Sequence, residues 1–270
     1  MDFICKSPES VLKSLSDWFN CPESDIISIL KRDWETEFIK ARKKADDYYY
    51  INDFDSNDDE LLEHFGLFIA NKGFGDYYIT HKSVNIHWFH GSRVIDISSF
   101  ESEGILPLTE IFPRITALID SIAQRLGIKA CEDTKSSLIK QRIEIKFGNA
   151  IDHGPCAMLM YEATIDSDNY KCHSYIDEPE IVSDYVTLKY GKSSNKITSE
   201  FKRITKPVVI EFIETRDCKD SSVMDVVIIA ALTYMYEVLH NEEKSLDANI
   251  GHSEYGKKVS PDRIVDITVL

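Results

Sequence analysis

No apolar run in this chain is both long and uninterrupted. The most apolar stretch, Val223 to Leu239, carries Asp225, Thr233 and Glu237, and it predicts a buried core helix rather than a membrane span. The N-terminus has neither the basic start nor the apolar centre of a signal peptide. Its six cysteines include no Cys-x-x-Cys spacing, so they are expected to be reduced thiols in a soluble, cytoplasmic protein without a membrane partner. Positive charge is scarce: 31 Lys and Arg stand against 46 Asp and Glu, a net charge of -15, which argues against bulk nucleic-acid binding. Gly-x-Gly-x-x-Gly, Gly-x-x-x-x-Gly-Lys-Ser/Thr, His-Glu-x-x-His and Gly-x-Ser-x-Gly are all missing, which sets aside Rossmann, P-loop, zincin and α/β-hydrolase chemistry. His173 beside Cys172, with Cys156 upstream, fits no zinc spacing, and no metal is expected.

What is present describes a globular chain. Its 270 residues are 43% hydrophobic and 29% charged, enough for one large domain or a small one joined to one of ordinary size. Ser7-Pro8-Glu9 starts a helix with a capping hydroxyl, a first-turn proline and an acid at the positive end. Val11, Leu12, Leu15, Trp18 and Phe19 make its apolar stripe. Pro22-Glu23-Ser24 repeats the signal, with Ile26, Ile27, Leu30, Trp34 and Phe38 on one face, so a helical hairpin is predicted. From Asp46 to Glu63 eight acids occur without Lys or Arg, the expected linker.

Beyond Gly73 the pattern turns to strands. Asp76–Thr80, Val84–Phe89, Arg142–Phe147, Cys156–Thr164, Pro207–Phe212 and Arg263–Leu270 are predicted by alternation and β-branched or aromatic content. An amphipathic helix is predicted from Leu108 to Leu126 with Gly127 as its stop. Asp152-His153-Gly154-Pro155 reads as a turn, and Glu178-Pro179 as a helix start. The mixture lacks regular βαβ alternation, so the fold class is α+β. Residues 1–73 are expected to form a helical N-terminal module with the acidic linker, and residues 74–270 the α+β domain.

Candidate chemistry centres on Trp88-Phe89-His90-Gly91-Ser92-Arg93, followed by Phe100 to Pro107. Alternation places Val84, Ile86, Trp88 and His90 on one strand face, so a histidine ends an otherwise apolar row. Gly91 leaves room for a flat ligand to approach the backbone, and Ser92 adds a donor and acceptor. Arg93 has the planar fork that suits a phosphate, or it pairs with Asp96. Glu211 is an acid inside an apolar strand, with Glu214 as rival and Glu242 or Glu243 as later alternatives.

A strand ending in His-Gly-Ser, followed by Phe-x-x-x-Gly-Ile, resembles the nicotinamide-binding opening of the ADP-ribosyltransferase fold, in its poly-ADP-ribose-polymerase-like branch. The resemblance implies a mixed, mostly antiparallel split sheet. It implies NAD as substrate, with His90 on a ribose hydroxyl, the Gly91 backbone on the carboxamide and Ser92 supporting both. It further implies a tyrosine stacked on nicotinamide, for which Tyr161 and Tyr175 stand first, Tyr170 and Tyr185 behind them. A late catalytic glutamate, Glu211, would act with His90 in transferring ADP-ribose to a macromolecular target, as in a toxin or defence-type effector. The alternative is a non-catalytic acidic inhibitor or adaptor that contacts a basic protein partner.

Overall fold

A computed structural model describes residues 1–49, 65–75, 81–131, 137–148, 153–166, 168–170, 173–218 and 221–270. Strand β1 (Asp2–Phe3) precedes helices α1 (Pro8–Phe19), α2 (Glu23–Leu30), α3 (Trp34–Tyr49) and α4 (Phe65–Phe74). Next come β2 (Ser83–Val94), α5 (Ser98–Glu103), α6 (Leu108–Arg125), α7 (Ser137–Gly148), β3 (Cys156–Met158) and α8 (Tyr161–Ile165). The chain finishes with α9 (Glu180–Tyr190), α10 (Ser194–Ile204), β4 (Lys206–Asp217), α11 (Ser221–His240), β5 (Gly251–Ser253) and β6 (Ile264–Val269). The class is α+β with a mostly antiparallel sheet. By contacts the chain divides into two interleaved units instead of parting at residue 73. The first holds residues 1–87, 159–162 and 214–250, the second 88–158, 163–213 and 251–270.

In the first unit α11 is the buried core helix that its composition predicts. Val223–His240 is long and apolar enough to cross a membrane, yet most of it is buried. Gly66 of α4 allows the close approach: a Cβ there would lie 2.4 Å from the Ile229 carbonyl of α11. Ser7 caps α1 by accepting the Ser10 N–H, and Ser10 answers the Ser7 N–H. The expected second helix is two. The Asp33 carboxylate accepts the Thr36 N–H at 3.0 Å, starting α3 afresh and separating Leu30 from Trp34. β1 runs parallel to the first half of β2, Asp2 opposite Asn85. Helix α3 takes in Asp46 and Asp47 of the expected linker. Residues 50–64 and the strand expected at 76–80 lie outside the described residues.

In the second unit the strands are ordered β5-β3-β2-β4-β6, with β2/β3, β3/β5 and β4/β6 antiparallel. β4 and β6 follow the predicted strands. β2 runs on through His90, Gly91 and Ser92 to Val94, so the histidine sits within the strand and not at its end. Helix α6 spans the predicted amphipathic segment, and Gly127 follows it at φ 66°. Its residues Ile119 and Ile122 pack with Val182, Val186, Ile197 and Phe201 of α9 and α10.

Two strand expectations fail here. Arg142–Phe147 lies in α7, because Ile143 and Phe147 are also four apart and share a helix face: Ile143 packs against this core, and Phe147 meets the Phe112 ring at 5.0 Å. Ile145, their partner in a strand reading, is 55% exposed. Cys156–Thr164 is a strand only to Met158, and α8 begins at Tyr161.

Candidate functional site

Two concavities open in the second unit beside the β2 segment that carries His90. The larger, about 490 Å³, is walled by His90, Gly91, Ser92 and Arg93 together with α5, α6 and the start of α9. The smaller, about 320 Å³, is walled by Phe89, Gly91, His173, Tyr175 and residues of β3 and β5. Gly91, Cys156 and Tyr175 border both. Five of the expected site residues thus come together: His90, Gly91, Ser92, Arg93 and Tyr175.

His90 Nδ1 lies 2.6 Å from the Cys156 carbonyl. A carbonyl only accepts, so Nδ1 carries the proton and Nε2 is left as the acceptor of a neutral imidazole. Burial lowers the His90 pKa below its ordinary value, against the opposing pull of that hydrogen bond. The strand therefore presents a neutral acceptor suited to a ligand hydroxyl.

Gly91 is needed for a different reason from the one its sequence suggests. A Cβ at this position would lie 3.0 Å from Thr164 Cγ2, 3.1 Å from Ile176 Cγ2 and 3.5 Å from Tyr175 Cβ. The space on that side is filled by the chain itself, and the glycine lets the Tyr175 segment lie directly on the strand. The Tyr175 ring meets His173 edge-on at 4.9 Å.

Arg93 holds neither a free phosphate fork nor Asp96. Its Nε donates to Thr205 Oγ1, Nη1 to the Ile176 and Asp177 carbonyls, and Nη2 to the Lys202 and Thr205 carbonyls. All five N–H groups are committed to the end of α10 and the loop before α9.

The remaining candidates lie elsewhere. Tyr161 is in the first unit, where its N–H donates to the Cys5 carbonyl at 2.9 Å. Glu211 is buried on β4 opposite Asp266 and beside a bulge, and it is absent from both walls. Glu214 belongs to the first unit and pairs with Arg216. Glu242 and Glu243 are exposed beyond α11. Tyr170 is buried, and Tyr185 donates to Asp120 at 3.2 Å.

Sequence reasoning missed the cluster formed by β5 and the turn after it. The His252 ring stacks on Trp88 at 4.7 Å, and its Nε2 is 3.2 Å from Glu254 Oε1. Arg263 Nη2 donates to the same oxygen at 2.5 Å and its Nε to the Ile213 carbonyl at 2.8 Å. Burial opposes ionisation of Glu254, but the bonds from His252 and Arg263 prevail and hold its pKa down at about 2. The Glu254 N–H donates to the Pro155 carbonyl, next to the Cys156 carbonyl that binds His90. Alternation from Trp88, with the register through β3, puts His90 and His252 on one face of the sheet, and Glu254 follows the end of β5. The local sign was His252-Ser253-Glu254, a polar pair two apart across the end of a strand too short to show periodicity.

The chain was compared with protein-family models, curated proteins and solved structures, and nothing matched.

Proposed function

We propose that this protein binds NAD beside His90 and Gly91 and transfers its ADP-ribosyl group to a macromolecular acceptor, on a sheet of the ADP-ribosyltransferase type. The observation that carries the reading is the meeting of His90, Gly91, Ser92 and Tyr175 at two adjoining concavities. In this reading the nicotinamide end enters the smaller concavity against Tyr175, and a ribose hydroxyl donates to His90 Nε2.

Cleavage sends the bonding pair of the glycosidic C–N bond onto neutral nicotinamide and leaves positive charge on the ribose. A nearby carboxylate stabilises that charge more in the transition state than in the ground state. Glu254 is assigned this role over Glu211 because His252 and Arg263 hold it ionised and it follows β5, which lines the smaller concavity; like Glu211, it borders neither concavity itself. The acceptor's lone pair then forms the new bond at the ribose carbon, and its proton passes to solvent.

The test is nicotinamide release from NAD by the full chain and by His90→Ala, Glu254→Gln and Glu211→Gln. Release by wild type, reduced about 100-fold or more in the first two variants and retained in the third, supports the proposal. Absence of both release and calorimetric binding at millimolar NAD, with acceptor proteins from a cell extract supplied, overturns it.

A further inference from the structure

The larger cleft has a property that NAD chemistry does not explain. Its far wall is the half-exposed stripe Leu108, Ile111, Ile115 and Leu118 of α6, spaced three, four and three apart so that all share one face. Leu108, Ile115 and Leu118 rest on the core below them and still border open space. A cleft of about 490 Å³ falls in the usual size range for small-molecule sites, which are mostly apolar with a few polar groups that fix orientation.

Its charges are already engaged within the protein. Among the described wall residues the cations are Arg93, Arg114 and Lys146, and the carboxylates are Asp96, Glu103 and Glu180. Arg93 spends every N–H on protein oxygens. Arg114 makes two bonds to Glu103, at 2.9 and 2.8 Å, and Lys146 donates to Glu180 at 2.6 Å. Asp96 accepts the Ser98 N–H at 3.1 Å and its hydroxyl at 2.7 Å. An anionic ligand would have to displace Glu103 or Glu180 from its cation, or the protein oxygens from Arg93, in a protein whose net charge of -15 already repels it. A cationic ligand would have to displace Arg114 or Lys146, or the Ser98 donors from Asp96. On β2 the wall offers two neutral polar groups close together, His90 Nε2 and Ser92 Oγ.

We infer that the larger cleft binds an uncharged, apolar small molecule carrying one hydrogen-bonding head, the head against His90 and Ser92 and the body along the α6 stripe. This goes beyond the NAD reading and does not rest on it, and because both place a ligand hydroxyl on His90 Nε2 the two ligands would compete.

The test titrates the full chain with the neutral fluorophore N-phenyl-1-naphthylamine and then displaces it. The expected result is a saturable fluorescence rise, with displacement by dodecanol at least about tenfold tighter than by dodecanoate at pH 8 or by NAD. Ile115→Arg and Leu118→Trp are expected to weaken probe binding about tenfold or more with melting curves preserved. Ile39→Arg, at an exposed apolar site of the first unit, is expected to leave it unchanged. No saturable rise, dodecanoate binding as tightly as dodecanol, or wild-type binding by both folded cleft variants would overturn the inference. If the cleft variants fail to fold, the comparison of alcohol with carboxylate on wild type decides alone. Nicotinamide release is read separately, so either idea can fail while the other stands.

Discussion

Arg93 holds both oxygens of Thr205: its Nε donates to the hydroxyl at 3.0 Å and its Nη2 to the carbonyl at 3.0 Å. The Thr205 and Lys202 carbonyls belong to the end of α10, where a helix leaves its last acceptors without partners. Arg93→Ala strands several part-buried carbonyls at once and is expected to lower unfolding stability by about 3 kcal/mol. Arg93→Lys, with three donors on one atom, is expected to recover less than half of the loss, since it cannot span the same five bonds. Urea denaturation checks both; a loss in the alanine variant below about 1 kcal/mol, the worth of a single net hydrogen bond, would show that the clamp contributes little.

Gly91→Ala is expected to cost about 1–3 kcal/mol, because its methyl group meets Thr164 and Ile176 at closer than comfortable distance. Thr164→Ser removes the Cγ2 atom on one side and is expected to restore part of that loss in the double variant. Additive losses in thermal melts would rule out the contact as the cause.

His90 gives a pH dependence of definite sign. Its folded pKa lies below the unfolded value near 6.5, so its stabilising effect is complete above that value. As the pH falls through 6.5 toward the folded pKa, the unfolded chain takes up a proton that the folded one resists, and stability drops. His90→Gln lacks this group. The stability difference between wild type and variant is therefore expected to shrink between pH 7 and 5, and a difference flat with pH would contradict the assignment.

Glu254 acts in the opposite range with the same sense. Its pKa is depressed from 4.5 to about 2, so its contribution is full above 4.5 and is lost as the pH falls through 2. Glu254→Gln is expected to be less stable than wild type at neutral pH and to approach it in acid. Equal acid dependence of the two proteins would place the ionised carboxylate elsewhere.

If NAD is the substrate, salt should help it bind. The net charge is -15 and the cations of the larger cleft are all engaged, so added salt screens repulsion more than it weakens attraction. The apparent KM for NAD is expected to fall as ionic strength rises from 20 to about 200 mM, over which the screening length shortens severalfold. A rising KM would point to a cation that meets the diphosphate.

The readable parts of the fold were those with local causes. The length and composition of α11, the apolar stripe of α6 and the β-branched run of β4 each announced their element. Arg142–Phe147 was misread because Ile143 and Phe147 satisfy a four-residue helical spacing as well as alternation. The site was readable only along β2. Arg93 is held by carbonyls as many as 112 residues away, and any residue can supply a carbonyl. His252 came to the site through β5, a strand of three residues that carries almost no pattern of its own.

The interleaving of the two units sets an order on synthesis. The helices of residues 1–49 can be made early, yet their unit also needs residues 214–250, and the other unit needs 251–270. Neither is complete until those residues have left the ribosome. For most of translation α1 and α2 wait without α11, against which both pack, and a nascent chain stalled there exposes apolar surface of the kind that chaperones bind.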